Sequence, residues 1–190
     1  SWFEPVLSKK EQDYAHQAFN NLFLVYRYDE EADSIIVKRR NRERYGERIY
    51  LAAKMQTNCE KIGETEFEID KTKFIGRNNL GIPNAIKNST PLSRKAGLTT
   101  EGVVALKNTI KIKPGEKIYV DLILSVEHTK DVAIQNMQKY SVMENVTREF
   151  INDTLYKILF SDDIPNFRFD FREPEAIKFI EAISNMGVSA

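Results

Sequence analysis

A change of rhythm near His128 limits the folds open to this 190-residue chain more than any other feature. Before it, short apolar runs are separated by turn residues every 8–12 positions or so, the spacing of a sandwich or barrel of antiparallel strands. Beyond it, apolar residues recur every three to four positions, the period of helices packed on one face. The expected fold is therefore mainly β, an antiparallel sandwich over residues 1–128 followed by a helical segment over 129–190.

The runs themselves are specific. Asn21–Tyr28 and Ser34–Arg40 flank the turn residues 29–33 and predict a hairpin, and Arg48–Met55 predicts a third strand. Thr65–Ile69 alternates polar and apolar. Glu101–Ile112 and Lys117–Val126 are separated by Lys113-Pro114-Gly115-Glu116, a tight-turn sequence, and read as a pair. Thr129 or Asp131 can cap a helix running to Tyr140, residues 141–160 continue the helical period, and a last helix is expected from Pro174 toward Met186. Residues 76–100 keep no period and hold three glycines and two prolines. A loop of that length in a small domain is uncommon and is often functional when ordered.

Composition removes several classes of function. Lys and Arg number 28 and so do Asp and Glu. That balance argues against nucleic acid as the main partner, because phosphate neutralisation calls for a basic excess. No apolar stretch is long enough to span a bilayer, so no membrane partner is expected. One cysteine, Cys59, with two histidines leaves almost no inventory for zinc. The lone cysteine and the lack of a signal-like start give the expectation of a cytoplasmic protein without metal or cofactor.

The candidates for chemistry are few. Glu66, Glu68 and Asp70 share one face of a strand, which suits paired carboxylates in glycoside chemistry or simply a solvated outer face. Asp13 and His16 could make a charge-assisted base, but no nucleophile accompanies them; a structural role at a turn between strands is the other reading. The aromatic content, 8 Tyr, 11 Phe and 1 Trp, makes Trp2, Tyr26, Tyr28, Tyr45 and Tyr50 candidates for stacking on sugar rings. The same rings could equally be sheet core. Arg77, Asn78, Asn79 and Asn84 in the long loop can hydrogen-bond sugar hydroxyls or hold the loop together.

Three stretches, in order, resemble one family. Trp2-Phe3-Glu4-Pro5-Val6-Leu7 followed by Asp13-Tyr14-Ala15-His16-Gln17-Ala18-Phe19-Asn20-Asn21-Leu22-Phe23 is similar to a stretch of glycoside hydrolase family 94 proteins. So are Phe67–Arg77 with Pro83, Ala85 and Ile86, and Leu92-Ser93, Gly97 and Gly102 with Ile110–Glu116. The branch of cyclic β-1,2-glucan synthases and β-1,2-oligoglucan phosphorylases looks most similar. The resemblance implies a supersandwich of the galactose-mutarotase-like type followed by linker helices, lacking strands that stand upstream in the family. It implies no catalytic residue in this chain, because the family's general acid lies in an (α/α)6 barrel that follows the linker.

The function expected on that basis is a non-catalytic sandwich domain that scaffolds or contacts β-glucan beside a catalytic barrel. Trp2, His16, Arg77, Asn78 and Asn79 are the residues expected at the carbohydrate or the barrel. A free-standing carbohydrate-binding module is the first alternative. A small sugar enzyme using His16 or His128 with Glu66 or Glu68 is the second. An assembly domain is the third, and an unpaired edge at Trp2–Leu7 would allow a homodimer by strand addition.

Overall fold

The β-branched and aromatic runs form strands that pair into two antiparallel sheets. The computed structural model describes residues 1–40, 48–77 and 81–160, the side chains of residue 17 and of residues 153–160 excepted. The expected helix from Pro174 lies outside the described residues. Two units are recognised, one to Gln138 and one from Lys139.

In the first unit, β1 (Trp2–Phe3), β6 (Gly102–Lys111) and β5 (Glu60–Asp70) make a three-stranded sheet in the order β1-β6-β5. The second sheet runs β2 (Leu24–Asp29), β3 (Ser34–Arg39), β4 (Ile49–Thr57), β7 (Val120–Glu127). The β2–β3 hairpin is as expected, with Asp29 opposite Ser34. The tight turn at 113–116 is also present, with Glu116 N–H donating to the Lys113 carbonyl and Gly115 at φ +78°.

Its two flanking strands do not form a hairpin, however. β6 pairs with β1 and β5, while β7 crosses to the other sheet and pairs with β4. The turn sequence fixed a reversal of direction but not the partner, which the two-sheet topology decides. β4 to β5 is a second crossing of the same kind.

Between the sheets lies the main core. Leu24, Tyr26, Ile35, Val37, Leu51, Ala53 and Met55 face Phe67, Ile69, Val104 and Leu106, with Leu7 closing one side. Both outer faces are covered as well. On the four-stranded sheet, α4 (Lys130–Lys139) packs Ala133 and Met137 against Ile36 and Ala52. Thr129 accepts a hydrogen bond from Val132 N–H, the expected cap. On the three-stranded sheet, α2 (Lys71–Ile75), α3 (Asn84–Lys87) and the chain around Leu92 place Phe74, Ala85 and Leu92 over Val103 and Ala105.

One element was absent from the sequence reading. Residues Lys10–Asn21, which include Asp13 and His16 of the expected turn and the first residue of the expected Asn21–Tyr28 strand, form α1, a helix interrupted at His16, where φ is −152° and ψ 61°. Asn20 holds it down: its amide donates to the Gln12 carbonyl and its oxygen accepts from Arg39.

The second unit contains α5 (Met143–Phe160), in the stretch expected to be helical. Lys139 pairs with Glu149 at 2.9 Å. No helix among the described residues is long and apolar enough to cross a membrane.

Candidate functional site

The outer layer over the three-stranded sheet holds Trp2, Glu66, Glu68, Arg77 and Asn84 of the residues to which the sequence pointed. Trp2 sits opposite Ala105 on β6, on the face that carries Phe74 and Leu92. Its ring leans on Phe74 with centroids 5.9 Å apart and the planes tilted by 59°. It remains 44% exposed, so one part of the ring is seated and another faces solvent. The chain just after β1 is tied to α2 by Glu4 and Lys71 at 2.7 Å.

α2 itself starts on a firm cap. Asp70 accepts from the N–H groups of Thr72 and Lys73, at 2.9 and 3.2 Å. It ends at Gly76, whose φ of +91° belongs to the left-handed region. A Cβ there would also lie 2.0 Å from the Asn84 amide and would push that side chain aside. The exposed Arg77 follows directly, past the end of the helix. Asn78 and Asn79 lie outside the described residues.

Carboxylates hold this layer in place. Alternation correctly put Glu66 and Glu68 on one face, but that face is covered rather than solvated. Glu68 is only 3% exposed; it accepts from the N–H groups of Ile69, Asp70 and Ser93. Glu66 accepts from Leu92 N–H at 2.8 Å and pairs with Lys107 at 3.0 Å. Burial pushes the Glu66 carboxyl up, but the Leu92 N–H and the Lys107 ammonium outweigh it and hold the group below its ordinary range. These acids satisfy backbone donors of an irregular segment, and their lone pairs are committed to that task.

His16 stands apart. It is exposed at the interruption of α1, and α1 reaches β3 through Asn20 and Arg39. Of the other rings considered, Tyr26 is core and Tyr28 is stacked on Phe67 at 4.5 Å. Tyr50 is half-buried under Lys38. Tyr45 lies outside the described residues. Among the described rings of that group, Trp2 is the most open to solvent.

Sequence reasoning missed a polar knot at one end of the sandwich. Asp33 accepts from the Tyr28 hydroxyl and pairs with Lys61 at 2.7 Å, and Lys61 also donates to Thr65 at 2.6 Å. Arg94 lies over the Tyr28 ring and pairs with Glu30 and Glu64. Burial raises the Asp33 carboxyl, but Lys61, Tyr28 and Thr65 reverse this and keep it below its usual range. Both Asp33 and Arg94 adopt positive φ. No motif signals the knot, because its members come from three separate segments. Its charges answer one another, which makes it a fastening between the β2–β3 turn, β5 and the long loop. Among the described residues, no three His, Cys, Asp or Glu side chains are grouped to hold a metal ion.

Comparison with known proteins agrees with this architecture. The family model of the glycosyl hydrolase 94 supersandwich domain matches residues 1–143. The cyclic beta-(1,2)-glucan synthase NdvB of Rhizobium meliloti (strain 1021) is 25% identical over 153 residues. Those residues are 80% of this chain and 5% of that protein, so the chain spans about one twentieth of the relative's length.

Proposed function

The chain belongs to the glycosyl hydrolase 94 family through its supersandwich domain, and from that premise we propose that it is a non-catalytic glucan-contacting scaffold for a separate catalytic barrel. Residues 1–128 supply the sandwich and 129–190 a helical linker in this reading. The observation that carries it is the Trp2 ring, seated on Phe74 yet half open, in the same outer layer as the exposed Arg77. A pyranose presents C–H groups on its face and hydroxyls at its rim. An aromatic ring fits the first, and a planar guanidinium, which can hold two acceptors at once, fits the second.

Trp2 is the only tryptophan, so its fluorescence reports this surface directly. Titration with β-1,2- and β-1,4-linked gluco-oligosaccharides is expected to change it saturably, and Arg77→Ala to weaken the response. Trp2→Ala, followed by calorimetry, is expected to abolish binding. Absence of binding to both series at millimolar ligand would refute glucan contact by this chain.

One observation favours a second reading in which the same layer docks on the barrel. Ile82 and Ile86 are exposed there beside Trp2's layer, more apolar surface than a sugar rim needs. Chain that binds no sugar but is retained by a family 94 barrel would select this reading.

A further inference from the structure

The carboxylates over the three-stranded sheet differ in how much bonding capacity they have left. Glu68 is committed to three amides, Glu66 to an amide and an ammonium, and Asp70 to the cap of α2. Glu4 is not spent in this way. It meets Lys71 at 2.7 Å, the two side chains are 34% and 36% exposed, and among the described residues no other hydrogen bond reaches either charged group. A carboxylate can accept about four hydrogen bonds and an ammonium can donate three, so both keep capacity toward solvent. An exposed pair of this kind adds little to stability, and fastening alone is a poor account of it.

Chain geometry fixes the place of the pair. Glu4 follows Trp2 by two residues, and Pro5 after it disfavours a helical turn, so Trp2 and Glu4 lie on one side of an extended chain. Lys71 precedes Phe74 by three residues on α2, which makes them neighbours on the helix surface. The Trp2–Phe74 and Glu4–Lys71 contacts are therefore adjacent rungs between the same two elements. The charged pair borders the half-open ring at the start of α2, and the exposed Arg77 stands past the other end of that helix.

Resting on the glucan reading, we propose that Glu4 and Lys71 form a diol clamp beside Trp2, and that the ligand class of this surface is glucan whose internal units carry two adjacent free equatorial hydroxyls. With the pyranose face on Trp2, the carboxylate accepts from both O–H groups of the pair and the ammonium donates to their oxygens. Such charge-assisted bonds are stronger than neutral ones, and the paired charges leave a neutral sugar no bare ion to face. Each internal β-1,2-linked glucose keeps its 3- and 4-hydroxyls, and each β-1,4-linked one its 2- and 3-hydroxyls. A β-1,3-linked unit keeps the 2- and 4-hydroxyls, which are not adjacent. The clamp thus separates the first two linkages from the third.

The test is calorimetry on the 190-residue chain with β-1,2- and β-1,4-linked gluco-oligosaccharides and a long soluble β-1,3-glucan, in which only chain ends offer an adjacent pair. The first two are expected to bind, and the third to bind about tenfold more weakly per glucose unit. Glu4→Ala and Lys71→Ala are each expected to weaken binding by about tenfold, with the denaturant midpoint and the sugar-free emission maximum of Trp2 unchanged. Equal binding of all three linkages overturns the clamp, and so does full affinity in Glu4→Ala; either result leaves the Trp2 and Arg77 surface standing. A shifted Trp2 emission in Glu4→Ala also overturns it, since the pair then positions the ring rather than holding sugar. If no linkage binds, the clamp falls together with glucan contact itself.

Discussion

The outer faces of the two sheets are covered by opposite means. On the four-stranded sheet a regular helix satisfies its own backbone and needs only an apolar contact, which Ala133 and Met137 supply. On the three-stranded sheet an irregular segment does the covering. Its amides at Leu92 and Ser93 have no helical ladder to bond, so Glu66 and Glu68 accept from them. Apolar contact alone, here Phe74, Ala85 and Leu92 on Val103 and Ala105, could not have kept that segment dry. An irregular cover over a sheet therefore carries buried charge with it, and its stability inherits a dependence on pH that a helical cover largely escapes.

Four changes would break or sharpen this contrast. The largest is Met137→Ala, which empties a fully buried site and should cost about 2–5 kcal/mol in denaturant unfolding; its cost should not vary with pH. Glu68→Ala should cost about 2–3 kcal/mol by stripping charged acceptors from buried amides. Hydrogen exchange should then accelerate at Ser93 while α4 keeps its protection. Third, acid should act unevenly. The Glu66 and Asp33 carboxyls are held below their unfolded values, so their contribution is complete above the ordinary carboxylate range, near pH 4, and disappears as pH falls through the depressed values. Exchange measured down this range should loosen the 90–97 segment first, and Glu66→Gln should flatten the profile. The α4 side has one comparable group, Asp29, drawn down first by its hydrogen bond to Lys130 and then by Ala32 N–H. The smallest effect is Thr129→Ala, which removes the α4 cap and should cost about 1 kcal/mol.

The same contrast explains what could be read from the sequence. Strand positions were legible because alternation and turn residues are local signals: Ser34–Arg40 is β3 almost to the residue. The α4 cap was legible for the same reason. α1 was not, since Lys10–Asn21 has few large apolar residues and is interrupted at His16, and it is held by the Asn20–Gln12 and Asn20–Arg39 hydrogen bonds. Strand partners were not legible either, because a turn sequence cannot say on which sheet the next strand will land. The burial of Glu68 depends on a segment about 25 residues away folding over it. For the candidate site, Trp2 and Arg77 were legible through the family resemblance, but the seat under Trp2 was not, because nothing in the sequence couples position 2 to position 74.

The pairing of β1 with β6 has a consequence in time. The Leu106 amide bonds to the Ser1 carbonyl at 2.8 Å, and Trp2 lies opposite Ala105. A ribosome releasing this stretch of chain delivers position 2 long before position 105 exists. The tryptophan must therefore wait, unpaired, for about a hundred further residues. Closing so long a loop is entropically costly and slow. Arrival of the Trp2 ring on Phe74 should mark one of the last steps of domain formation, visible as a late fluorescence phase in refolding.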